Sequence, residues 1–298
     1  MAQILPYKGD YYLWNYVPSL PGAIVFIVLF AIATAVHGWR MFRHRVWFHI
    51  PLVLGCLIET VGYVAYTLAH WHTNKLAPYI IQSIFILVSP PLIAATIYMI
   101  LGRLIVRLPS GPKCSIVRPS WLTKAFILGD VQSFLIQASG GGLMTSKGQK
   151  KMGQIVIVSG LIMQIVTFGI FLVAAIVFHI RYGRLAATGS RGRRRAEAGI
   201  PWTKVLWMLY AVSAVIMVRS LFRTVEYIQG HQGYNLTNQW TFFVFDSALM
   251  FLSTVLFFVM YHPDDLNRTG GEDGYIETGT ASSVEMAPSN VERAIPRK

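Results

Sequence analysis

The stretch TKVLWMLYAVSAVIMVRSLFRTVEYI, residues 203–228, is almost wholly apolar until Arg219, Arg223 and Glu226 enter near its end. Its length matches the roughly 20 residues an α-helix needs to cross a hydrocarbon core of about 30 Å. At that depth each ionisable group costs about 2.5–3.5 kcal/mol to insert. The three residues stand at i, i+4 and i+7, so one helix face carries them all. That face cannot meet lipid. The stretch therefore implies a bundle of membrane helices with a polar interior, and it directs attention to acids elsewhere in the chain.

The composition agrees. Of 298 residues, 54% are hydrophobic and only 13% charged, with a mean hydropathy of +0.50, whereas a soluble domain carries about a quarter charged residues. Seven runs are long and apolar enough to span: 18–39, 47–69, 78–102, 120–142, 153–179, 203–228 and 238–261. We expect an all-α, seven-transmembrane-helix bundle over residues 18–262. A short extracellular arm (1–17) precedes it. After His262-Pro263 comes an acidic tail (263–298), which holds seven of the thirteen acids and too few large apolar residues to build a core. That tail is expected to be disordered and cytoplasmic.

The net charge of +13 is unevenly placed. Arg40, Arg43 and Arg45 follow the first run, Arg103, Arg107, Lys113 and Arg118 the third, and Arg181, Arg184, Arg191, Arg193, Arg194 and Arg195 the fifth. The alternate loops carry far fewer cations: Lys75 after the second, and Lys147, Lys150 and Lys151 after the fourth. Lys and Arg resist translocation, so this pattern predicts an N-terminus outside and a C-terminus inside. It also argues against nucleic acid as a partner and for membrane lipids, with Arg191, Arg193, Arg194 and Arg195 meeting anionic headgroups. Lys8 is the one cation of the N-terminal arm, so no cleaved signal peptide is expected. Cys56 falls inside a span and Cys114 in a cytoplasmic loop, which predicts no disulfide. Asn235-Leu-Thr237 is a glycosylation sequon in a loop assigned to the outside.

Outside the tail only six acids remain, and four lie within spans: Glu59, Asp130, Glu226 and Asp246. With Arg219 and Arg223 they form a polar layer from mid-membrane to the outer third, two negative charges in excess. Glu59 shares a helical face with Gly62, Tyr63 and Tyr66, Asp130 with Gln137 and Gly141, and Gln164 with Gly153 and Gly160. The arginines are expected to pair with acids of spans two, four and seven. The candidate charge network is Glu59, Tyr63, Asp130, Gln137, Gln164, Arg219, Arg223, Glu226 and Asp246. Two roles fit it: a cavity receiving a ligand headgroup or relaying protons, and an ion-pair network that fixes helix assembly. Pro90-Pro91 interrupts span three, either as a packing kink or to free carbonyls that line a cavity. Gly140-Gly141-Gly142 reads as a helix stop.

The motifs in their order resemble the fungal RTA-like, or lipid-translocating exporter, family. They are Tyr16-Val-Pro18-Ser19, Glu59-x-x-Gly62-Tyr63, Pro91 with Ala94-Ala95-x-x-Tyr98-x-x-x-Gly102-Arg103, Phe126-x-x-x-Asp130, Gln137-x-x-Gly140-Gly141-Gly142, Gly160-Leu161-x-x-Gln164, Arg219-x-x-Phe222-Arg223-x-x-Glu226-Tyr227, Phe245-Asp246 and His262-Pro263. The resemblance implies a plasma-membrane or endomembrane protein concerned with sphingoid bases, sterol-like toxic lipophiles or porphyrins, as transporter or as sensor. Two positions depart from the family's habit: Tyr66 stands where it tends to carry Arg, and Gln239 where it tends to carry Glu. Each departure removes a charge.

Three function classes follow. A lipid exporter would use the acids to receive an amine headgroup; no G-x-x-x-x-G-K-[ST] loop occurs, so this polypeptide is not expected to use nucleotide, nor any other cofactor. A seven-helix sensor would use the same cavity. A zinc-dependent lipid amidase would need His37, His179 and His262, which share the inner end of their spans, but no acid stands at that level with ligand spacing. A retinal pigment is excluded by the absence of lysine from 238–261. No enzymatic activity is expected.

Overall fold

The computed structural model describes residues 18–108, 110–144, 149–188, 201–229 and 239–262, with helices as its long elements. The expected tail, the sequon and the arginine run 191–195 lie outside the described residues. Seven long helices follow the seven apolar runs: α1 (Leu20–Arg43), α2 (Ile50–Trp71), α3 (Leu76–Arg107), α4 (Pro119–Met144), α5 (Lys150–Ala187), α6 (Trp202–Gln229) and α7 (Gln239–Met260). Among the described residues, six of them are long and apolar enough to cross a membrane, and α4 is not. Lys124, Asp130, Gln132, Gln137 and the three glycines at 140–142 dilute its hydropathy.

Each helix packs on its neighbours in sequence, and α7 closes back onto α1. α3 touches α2, α4 and α6. It is the inner helix, with 61% of its most apolar stretch buried against 22% for α1. The outward faces are apolar at helical spacing, as in Ile155, Ile162, Val166, Ile170 and Val173 of α5. Trp39, Phe42, Trp47 and Trp121 are exposed around one end of the bundle, and Trp71 and Trp240 around the other, the placement of interfacial anchors.

Two local features position the interior. Pro90 and Pro91 sit inside α3 without breaking it. A proline has no N–H, so the carbonyl four residues earlier loses its helical partner; for Pro90 that carbonyl is Ile86. In α7, residues Phe243–Ala248 form a π-helical segment. Its wider turn inserts one residue relative to an α-helix, and Asp246 and Ser247 are its buried members.

The glycines at 140–142 do not stop α4, which continues to Met144. A Cβ on Gly140 would lie 2.8 Å from the Gly153 carbonyl oxygen, and one on Gly153 would lie 2.7 Å from that of Gly140. These residues bring two backbones into contact, the role small residues play between membrane helices. Nothing lies within 4 Å of a Cβ on Gly141.

Candidate functional site

Among the expected site residues Glu59, Tyr63, Asp130, Gln137, Gln164, Arg219, Arg223, Glu226 and Asp246, every one is buried. They do not form a single layer. Helix neighbours divide them into three groups.

The largest lies between α2, α3, α6 and α7. Arg219 Nε donates to Asp246 Oδ1 at 2.6 Å, with both side chains 1% exposed. Its Nη2 donates to the Ile86 carbonyl at 3.2 Å, so the oxygen released by Pro90 anchors the guanidinium. Arg223 Nη1 donates to Glu226 Oε2 at 2.8 Å within α6 itself, and the guanidinium lies 5.4 Å from the centre of the Tyr227 ring. Glu59 interacts electrostatically with Asp246, Arg219 and Arg223. Three carboxylates thus face two guanidiniums, leaving one negative charge over. Among the described residues neither oxygen of Glu59 has a hydrogen-bond partner, nor has Asp246 Oδ2. The Ser89 hydroxyl stands beside Glu59.

Aromatic rings wall this group on the α1 side. Tyr63 stacks with Phe30 at 5.9 Å and with Phe26 at 5.5 Å, and Phe26 stacks on Phe243 at 5.6 Å. The Tyr63 hydroxyl bonds to Ser247 of the π segment. Tyr66 and Gln239 meet one turn away: Gln239 Nε2 donates to the Tyr66 hydroxyl. The pair is a neutral hydrogen bond, so no buried ion at this turn needs a counter-charge.

Asp130 belongs to a second group. Tyr98 of α3 donates to its Oδ2 at 2.8 Å, while Oδ1 has no partner among the described residues. Tyr98 is itself held against Phe171, ring centres 4.5 Å apart. The expected pairing of span-six arginines with span four is therefore corrected: α4 packs chiefly on α3 and α5, which turns Asp130 away from α6. The expected pairing with span two is corrected too, since among the described residues Glu59 makes no ion pair and Arg223 takes its partner from its own helix. The third group is Gln137 and Gln164, where Gln137 Nε2 donates to Gln164 Oε1 at 3.1 Å across the α4–α5 seam.

The histidines of the zinc alternative do not converge. His37 Nε2 donates to the Thr254 carbonyl at 3.2 Å, and Arg40 beside it donates to the carbonyls of Phe258 at 2.7 Å and of Tyr261. Arg40 thereby satisfies carbonyls at the C-terminal end of α7, where the helix leaves them bare, whereas His37 adds a second bond to a carbonyl inside the helix. His179 pairs with the Tyr210 hydroxyl at 3.2 Å, and His262 is exposed. Among the described residues, no group of three His, Cys, Asp or Glu could hold a metal ion.

Several contributors carried little sequence signal. Tyr98, Ser89 and Ser247 are ordinary residues of apolar runs. The Ile86 carbonyl was legible in part, because Pro90 implies a free oxygen four residues upstream.

Comparison with known proteins places these observations. The family profile described as RTA1-like protein matches residues 52–268. The chain is 34% identical to protoporphyrin uptake protein 1 of Saccharomyces cerevisiae, over 84% of this chain and 92% of that one. It is 31% identical to protein RTA1 of the same yeast, over 85% and 86%. A more distant relative, the sphingoid long-chain base transporter RSB1, is 24% identical over 93% and 77%. No solved structure matches.

Proposed function

Because the chain belongs to the RTA1-like family, we propose that this integral membrane protein moves amphipathic lipids across the bilayer, with the Glu59–Arg219–Asp246 group as headgroup site. One observation carries the reading: Glu59 is buried at 1% exposure, is the surplus charge of its group, and among the described residues makes no ion pair, with only the neutral Ser89 hydroxyl beside it. A buried carboxylate without a partner costs several kcal/mol. It requires a proton or an incoming cation. An amine headgroup supplies that cation while its chain stays in the hydrocarbon, and the base named for the RSB1 relative has that chemistry. The neutral Tyr66–Gln239 pair at the outer turn tunes which headgroup is admitted. In this reading α4 is the seventh crossing despite its polar residues, because Asp130, Gln137 and Ser133 are buried against α3 and α5. The basic loops lie in the cytoplasm, and the plasma membrane is the proposed location.

The test is translocation in liposomes carrying the purified protein, with a fluorescent sphingoid base set against a phospholipid of matched chain. Protein-dependent movement of the base, reduced at least about tenfold in Glu59→Gln, is expected; a tenfold loss corresponds to about 1.4 kcal/mol of lost interaction. Unimpaired movement in Glu59→Gln would remove the headgroup assignment. Binding of the base without movement would instead make the protein a lipid sensor.

A further inference from the structure

A second site lies at the end of the bundle where α3 finishes and α4 begins. An open groove of about 500 Å³ is lined by Gly102, Arg103, Val106, Arg107, Thr123 and Lys124, together with Met99. Three cations and no acid line it. Among the described residues Arg107 and Lys124 have no ion-pair partner. Arg103 is held in place, its guanidinium carbon 4.3 Å from the centre of the Phe48 ring in the α1–α2 connection.

The groove exists because Gly102 lets the two helices meet. A Cβ there would stand 2.8 Å from Thr123 Oγ1 and 3.6 Å from the Pro119 carbonyl oxygen. Thr123 in turn donates to the Tyr98 carbonyl at 3.2 Å, which ties the start of α4 to α3. Gly111 lies directly against the end of α3, where a Cβ would stand 2.1 Å from the Ile105 carbonyl oxygen.

The level of the groove defines its occupant. Val106 and Trp121 are 62% and 66% exposed beside it, and Phe42 in the last turn of α1 and Trp47 on the α1–α2 connection are exposed too. Such exposed tryptophans mark the bilayer's headgroup boundary. At that boundary the anion continuously presented is a lipid phosphate, and its acyl chain needs an apolar continuation, which Met99 and Val106 supply. We propose that this groove is a binding site for an anionic glycerophospholipid, its headgroup held by Arg103, Arg107 and Lys124. The site is separate from the Glu59 group and stands whether or not that group moves lipid.

The full chain, purified in a neutral detergent, is titrated with phosphatidylserine or with phosphatidylcholine of the same acyl chains, and bound lipid is counted by native mass spectrometry. Phosphatidylserine adducts should be favoured by on the order of tenfold. That preference should vanish in Arg107→Ala/Lys124→Ala and persist in Arg107→Lys/Lys124→Arg. Excess inorganic phosphate should leave the adduct in place; displacement by it would mean a free-phosphate site and overturn the lipid assignment. Equal binding of phosphatidylcholine, or an undiminished preference in the alanine variant, would overturn it as well. Unfolding midpoints in lipid-free detergent check that both variants are folded, and if the alanine variant is not, the wild-type preference alone decides.

Discussion

At the residue scale, Asp246 and Glu59 are two acids of one group with opposite consequences when neutralised. Asp246→Asn strips Arg219 of its ion pair at a site 1% exposed. The stranded charge should cost about 3–5 kcal/mol, visible as a lower unfolding midpoint in detergent and as reduced yield. Glu59→Gln breaks no ion pair and should leave the midpoint nearly unchanged or raise it, because it removes an uncompensated charge. Equal destabilisation by both would turn the group into scaffolding. Tyr66 and Gln239 allow a finer test. Tyr66→Arg alone buries an unpaired cation and should destabilise by several kcal/mol. Adding Gln239→Glu should recover at least about 1 kcal/mol of that, the coupling expected of residues in contact. Additive losses in the double variant would separate the two positions.

At the scale of elements, the α4–α5 seam depends on backbones in contact. Gly140→Ala pushes a Cβ to 2.8 Å from a backbone oxygen of the opposite helix and should cost about 1–3 kcal/mol as overpacking. Gly141→Ala meets nothing within 4 Å and should be neutral or stabilise by up to about 1 kcal/mol through helix propensity. Thermal unfolding of the two variants side by side measures the difference. α3 and α7 carry complementary irregularities around the same ion pair. The proline of α3 frees the carbonyl that Arg219 takes, and the π segment of α7 contains the acid that Arg219 meets.

At the scale of the whole molecule, topology and length are connected. α5 has 38 residues, about 57 Å at 1.5 Å per residue, so part of it extends beyond a hydrocarbon core of about 30 Å. The orientation proposed here has the α1–α2 connection inside and the α2–α3 connection outside. Lys75→Cys should react with a membrane-impermeant maleimide in intact cells, and Arg45→Cys only after permeabilisation; the reverse pattern would invert the molecule. Both positions are exposed, and the native Cys56 and Cys114 are buried, which keeps the background low.

Hydropathy and charge are properties of each residue taken in order, and a membrane makes them decisive, because any long apolar run must become a helix to satisfy its backbone. The helices, their positions to within eight residues, the family and the burial of the Arg219–Glu226 face could therefore be read from the chain. So could the release of a carbonyl by Pro90. Which acid meets which arginine could not. Coulomb attraction does not discriminate between Glu59, Asp130 and Asp246 until helix packing sets distance and direction, and it is packing that turned Asp130 toward Tyr98, paired Arg223 within its own helix and left Glu59 over. The same holds for Gly140, which reads as a helix stop until the second helix, Gly153 foremost, occupies the space beside it.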